Sequence, residues 1–168
     1  MNTIAAPSLK RRLASMLYEA MLVFAVLFIA VLIFSILLEQ RHALYLRGAL
    51  QDWLFLVLGV YFIWFWTHGG QTLAMKTWKI RLVDVSGKPA RFWRATIRYF
   101  FAWLWFVPGL ALAWLLGAKT SMLILIPLAN MAIWALAIYL DPHRQFIHDR
   151  LAGTRLVVSD LSGTPASP

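Results

Sequence analysis

Residues 10–38 read KRRLASMLYEAMLVFAVLFIAVLIFSILL, in which three cations precede an apolar run that is broken by one charge, Glu19. A helix needs about 20 apolar residues to cross a bilayer core, and the uncharged run of residues 20–38 is almost that long. We therefore expect a membrane span over about residues 12–38, with Glu19 inside its first turns. A carboxylate at that depth is costly unless it meets a cation, a hydrogen-bond donor or a proton, so another part of the chain should fold against it.

The composition is that of an integral membrane protein. Hydrophobic residues make up 61% of the 168 residues and charged residues only 14%, which is unlike an ordinary soluble domain. The net charge of +9 would suggest nucleic acid as a partner of a soluble protein. In a membrane protein it is better explained by cations that set the topology, so no nucleic-acid partner is expected. The absence of cysteine excludes disulfide and thiol chemistry.

Three more apolar stretches follow, and they predict spans over about residues 53–70, 99–118 and 121–140. Between the second and third spans, IRLVDV predicts a short strand, which ends in the turn residues Ser-Gly-Lys-Pro. A second strand is predicted at TRLVV, after the last span. The expected fold is an all-α bundle of four transmembrane helices with a small cytoplasmic β-ribbon that pairs residues 79–85 with 154–158. We expect residues 1–158 to form one domain and residues 159–168 to be a disordered tail.

The distribution of charge predicts the orientation. With four spans, 13 of the 16 lysines and arginines lie on the side that holds both termini and the basic middle segment. Because cytoplasmic loops are enriched in these residues, both termini are expected in the cytoplasm. Three spans would place the basic middle segment and the basic tail on opposite sides, so that count is rejected.

Three separated stretches resemble the RDD family of small bacterial membrane proteins, which is named for an arginine and two aspartates. They are RRLASMLYE (11–19), GQTLAMKTWKIRLVD (70–84) and HDRLAGTRLVV (148–158). The resemblance implies that the arginine falls on Arg12, the first aspartate on Glu19 and the second on Asp149. Glu19 is one methylene longer than aspartate, and Ala74 stands where the family often has glycine. The resemblance also implies a multi-pass protein of the bacterial cytoplasmic membrane, and cation/proton exchange has been proposed for some members.

A polar cluster of Arg12, Glu19, Asp149 and Arg150 is expected at the cytoplasmic edge. The two acids should be bridged by a cation, either Arg12 or Arg150, since two adjacent carboxylates repel each other. The cluster is either a proton or cation relay or a staple that pins the tail to the first helix. Both interpretations stay open.

Secondary candidates for the site are His148, Asn130 and Thr72. Arg91, Arg94 and Arg98 share one helix face and are expected to contact anionic lipid headgroups, or else to be a solvated entry into the third span. The histidines and aspartates near the tail lack strict metal-ligand spacing, so no metal or cofactor is expected. No nucleophile–base pair is recognisable, and we expect no enzymatic activity.

The sequence favours a transport-type protein that moves a cation, a proton or a small solute. The alternative is a non-transporting scaffold that binds a partner protein or lipid. Four short spans enclose little aqueous volume, so we expect a homo-oligomer or a complex with a partner membrane protein.

Overall fold

A computed structural model describes residues 6–38, 46–142 and 144–159. Most of the expected tail, residues 160–168, therefore lies outside the described residues. In chain order the elements are α1 (Leu9–Leu37), α2 (Arg47–Thr67), α3 (Leu73–Thr77), β1 (Ile80–Asp84), α4 (Phe92–Ala102), a 3₁₀ turn (Trp103–Trp105), α5 (Val107–Leu115), α6 (Met122–Leu136), a second 3₁₀ turn (Ala137–Leu140), α7 (Ile147–Leu151) and β2 (Thr154–Val158).

Four helical segments of the described chain are long and apolar enough to cross a membrane, as the sequence predicts. They are Leu9–Leu37, Arg47–Thr67, Phe92–Leu115 and Met122–Leu140. The first three begin before the predicted spans, because a helix can continue past the apolar layer into polar residues. The third segment joins α4, the 3₁₀ turn and α5. Apolar side chains cover much of the outer surface of these segments, as expected where lipid replaces water.

Helix α1 is longer than a bilayer core is thick. Ser8 caps its N-terminus by accepting a hydrogen bond from the backbone N–H of Arg11. Its 29 residues extend about 43 Å, against a core of about 30 Å. The extra turns at its N-terminal end pack against α3, while α1 also contacts α2. Glu19 faces the last turns of α2 and the start of α3, because Tyr61 of α2 and Thr72 both donate hydrogen bonds to its carboxylate.

The predicted β-ribbon is confirmed. Strands β1 and β2 pair antiparallel, with Ile80 opposite Val158 and Asp84 opposite Thr154. The fully buried side chains of Ile80 and Leu82 join the core that the helices form. The sheet therefore closes one end of the helix bundle, and the segment after the last span is part of the fold.

The helical hairpin of α5 and α6 depends on a close approach at Gly109. A Cβ atom there would lie 2.9 Å from Asn130 Cβ and 2.9 Å from Pro127 Cα. The amide of Asn130 donates to the carbonyl of Trp105 at 2.7 Å, at the break between the 3₁₀ turn and α5. Asn130 thus satisfies a backbone carbonyl where Pro108 interrupts the helix.

Candidate functional site

A cavity of about 380 Å³ lies between α1 on one side and α4 with the first 3₁₀ turn on the other. Helix α2 forms its back wall, and α3, the sheet and α7 close the end where α1 begins. Most of the wall is apolar. Apart from Tyr99 and the tryptophans, the polar side chains on it are Arg12, Ser15, Glu19, Thr72, Arg98 and His148.

Glu19 is held by two hydroxyl groups. Tyr61 donates to its Oε1 at 2.7 Å and Thr72 donates to its Oε2. Thr72 is placed by its second role as the N-cap of α3, where it accepts a hydrogen bond from the backbone N–H of Met75. Thr72, a secondary candidate from the sequence, therefore contacts Glu19 on the cavity wall. The expected bridge from Glu19 through arginine to a second acid is not what the structure shows.

Asp149 forms an ion pair with Arg98. The carboxylate is fully buried, and its Oδ1 accepts from Arg98 Nε at 2.7 Å. The guanidinium of Arg98 also lies over the ring of Trp66, 4.1 Å from its centroid. Arg98 is only 7% exposed, so its expected position at the lipid headgroups is wrong. Arg98 lies on the side of α4 that also carries the buried residues Ala95 and Tyr99, and this side packs against the bundle.

Arg150 is not part of the cluster. Its guanidinium lies 2.6 Å from Asp141, and its side chain is 68% exposed. Successive residues on a helix point about 100° apart, so the neighbour of a buried aspartate on α7 faces outward. Of the other expected lipid contacts, Arg91 is exposed, whereas Arg94 lies 3.7 Å from Asp84 and donates to a backbone carbonyl.

Arg12 is buried without an ion-pair partner among the described residues. It is 1% exposed, its Nε donates to the carbonyl of Pro7 at 3.0 Å, and its guanidinium lies 5.2 Å from the centroid of the Phe146 ring. Its Nη1 and Nη2 find no hydrogen-bond acceptor in the part of the chain that the structure describes. A buried polar group of this kind calls for an explanation, because leaving it unsatisfied is costly.

His148 is held as a neutral imidazole. Trp105 Nε1, which can only donate, lies 3.1 Å from His148 Nδ1, so that nitrogen accepts and Nε2 carries the proton. Nε2 lies 3.4 Å from Asp149 Oδ1. Burial lowers the pKa of His148 to about 4; Asp149 opposes the shift, and Arg98 and Arg12 add to it. No group of three or more metal-ligating side chains occurs among the described residues.

Sequence reasoning missed two residues of the site and misjudged a third. Tyr61 and Trp105 stand within apolar runs of the predicted spans and were not singled out, and Arg98 was expected to contact lipid headgroups. The available signal was polarity within a predicted span: a tyrosine hydroxyl or an arginine there needs a partner. That signal does not identify which partner.

The comparisons with known proteins agree with the architecture. The model of the RDD family matches residues 6–153, which includes Arg12, Glu19 and Asp149. Neither a curated protein nor a solved structure matches the chain. Because the family model covers most of the sequence and the chain carries four candidate spans, this protein belongs to the RDD family.

Proposed function

We propose that this protein is a transport-type membrane protein and that the cavity holds its solute. The observation that carries the proposal is the convergence of ionisable side chains from α1, α4 and α7 on one cavity inside the helix bundle. Ionisable residues among membrane helices are costly and mark ion or substrate pathways by default. The volume falls within the range of ligand pockets, about 300–1,000 Å³. We propose no enzymatic activity for the chain.

The side chains on the wall favour a small solute over a bare cation. Two guanidinium groups, those of Arg12 and Arg98, line the end of the cavity next to the sheet, and they repel cations there. Glu19 lies farther along α1 and already accepts hydrogen bonds from two hydroxyls. In this proposal Glu19 binds the proton that crosses the membrane in exchange for the solute.

The proposed orientation places both termini in the bacterial cytoplasm. It rests on the 13 of 16 cations that fall on that side, and it directs the exposed Arg91 at the start of α4 toward anionic headgroups. Reporter fusions at Ser162 and at Arg47 should report opposite compartments. The same compartment for both would contradict the orientation.

A scaffold is the second candidate, and one feature favours it. The outer face of α2 and α4 carries an apolar groove lined by Phe55, Val60, Trp64 and Phe100. A helix of a partner membrane protein or of a second copy of the chain would fit such a groove. In that case the buried polar cluster would only hold the bundle together.

Flux through liposomes decides between the two. The full chain is reconstituted and challenged with pH and cation gradients, with and without added small solutes. We expect gradient-dependent flux that Glu19→Gln abolishes. Asp52→Asn removes one carboxylate from an exposed position on α2 and should leave the flux unchanged. No flux under any gradient, together with a stable co-purifying membrane protein, would overturn transport in favour of the scaffold.

A further inference from the structure

Arg12 lines the cavity, and the end of its guanidinium lies just below the cavity wall, where Nη1 and Nη2 each expose less than 1 Å². The Nε edge is occupied by the carbonyl of Pro7, whereas Nη1 and Nη2 have no acceptor among the described residues. Asp149 is paired with Arg98 through Oδ1, while its Oδ2 also has no hydrogen-bond partner among the described residues. The positive charge of Arg12 therefore has no contacting anion in the part of the chain that the structure describes.

The geometry of these two nitrogens favours a particular head group. Nη1 and Nη2 form the end of a planar fork, which binds two oxygens of one carboxylate or phosphate in parallel. Such charge-assisted bonds are strong when they are buried, and Arg12 is 1% exposed. A ligand with one anionic group would satisfy both nitrogens at once.

The rest of the wall favours an apolar body behind that head. The cavity follows α1 from Arg12 to Val23, three turns or about 16 Å. Beyond the polar end the walls are apolar, with Met16, Leu58 and Phe106 among the side chains that line them. A compact polar anion would leave this length of apolar surface uncovered. A single acyl chain would cover it, while the volume is small for the two chains of a phospholipid.

We propose that the cavity binds a single-chain amphiphile, with its carboxylate or phosphate head on Nη1 and Nη2 of Arg12 and its chain along the apolar wall toward Val23. The inference rests on the proposed function, because it names the chemical class of the solute that the cavity holds. Binding itself can be measured without transport.

Tryptophan fluorescence tests the proposal, because Trp66, Trp103 and Trp105 line the cavity. The full chain in phosphatidylcholine nanodiscs is titrated with a dibrominated C18 fatty acid, whose bromines quench tryptophan on contact. We expect saturable quenching by the acid. The uncharged methyl ester of the same acid should give only the linear quenching of a probe dissolved in lipid.

Variants locate the site. Arg12→Gln should weaken binding by about tenfold or more, since it removes hydrogen bonds to a charged group. Lys10→Gln makes the same charge change at an exposed position two residues before Arg12 and should leave binding unchanged. Ala102→Phe fills the apolar part of the cavity without altering a charge and should also weaken binding. It keeps the test valid if Arg12→Gln fails to fold.

The outcomes separate this inference from the proposed function. Equal quenching by acid and ester, or binding that neither variant weakens, would overturn the inference. Competition by inorganic phosphate at the concentration of the fatty acid would overturn the amphiphile in favour of a simple anion. Saturable binding without flux would support the inference and contradict transport, whereas flux without saturable binding would do the reverse.

Discussion

Replacing Asp149 by alanine should destabilise the protein by about 3–5 kcal/mol, the cost of leaving one member of a buried ion pair alone. The size follows from the burial of both partners: the Asp149 side chain is fully buried, that of Arg98 is 8% exposed, and the two atoms are 2.7 Å apart. Little solvent is available to hydrate the guanidinium that remains. By contrast, Arg150→Met should cost less, because Asp141, although its side chain is only 8% exposed, keeps the hydrogen bond from the backbone N–H of Gln145.

A double-mutant cycle isolates the pair. Arg98→Met with Asp149→Ala should cost less than the sum of the single changes, with a coupling of about 1–3 kcal/mol. Glu19→Gln with Asp149→Ala should show a smaller coupling, because the two carboxylates share no hydrogen-bond partner among the described residues and are linked through the charge of Arg98. This reverses the expectation from the sequence, in which Glu19 and Asp149 belong to one bridged group.

The assay is reversible unfolding of the full chain in mixed micelles with an increasing fraction of SDS, followed by tryptophan fluorescence. Each variant is compared with the unchanged protein at the same protein and detergent concentrations. Coupling above about 1 kcal/mol between Glu19 and Asp149, together with additivity of Arg98 and Asp149, would refute the assignment of Arg98 as the partner of Asp149.

Three further predictions test other parts of the fold. Gly109→Ala should cost about 1–3 kcal/mol because its Cβ would overlap the facing helix, whereas Gly48→Ala, which meets no atom within 4 Å, should be neutral or slightly stabilising. Deleting residues 154–168 removes β2 and should sharply lower the amount of folded protein in the membrane, while deleting residues 160–168 should not. Stability should fall as the pH is lowered from about 6.5 to about 4, because His148 stays neutral in the fold and the unfolded chain binds the extra proton. Unfolding midpoints measured across this range should lose that fall in His148→Asn.

Each of these predictions has an outcome that contradicts it. Equal stability of the two alanine variants would show that the close approach at Gly109 is absent. Normal abundance and unchanged protease resistance after removal of β2 would show that the strand is merely appended. An unchanged pH dependence in His148→Asn would assign the acid sensitivity to another group.

The four spans and the ribbon were predictable because both depend on local pattern. A run of 19 uncharged apolar residues is enough to indicate a membrane helix, and IRLVDV and TRLVV carry the short β-branched pattern of strands. The pairing of the two strands was also predictable, because an isolated strand is unstable in water and the sequence predicts these two strands outside the spans. The starts of the helices were less predictable, since polar residues extend α1 and α2 beyond the apolar layer.

The sequence by itself determined the class of the molecule: an apolar chain with four spans, a closing ribbon and buried charges that must find partners. The tertiary structure alone decided which partners they find. Arg98 reaches Asp149 across 51 residues of chain, and Glu19 is met by hydroxyls from α2 and from the start of α3. Hydropathy and helical spacing report on one element at a time. The match of donor to acceptor depends on the packing of several elements, which turns Arg98 inward, Arg150 outward and Arg12 toward the cavity.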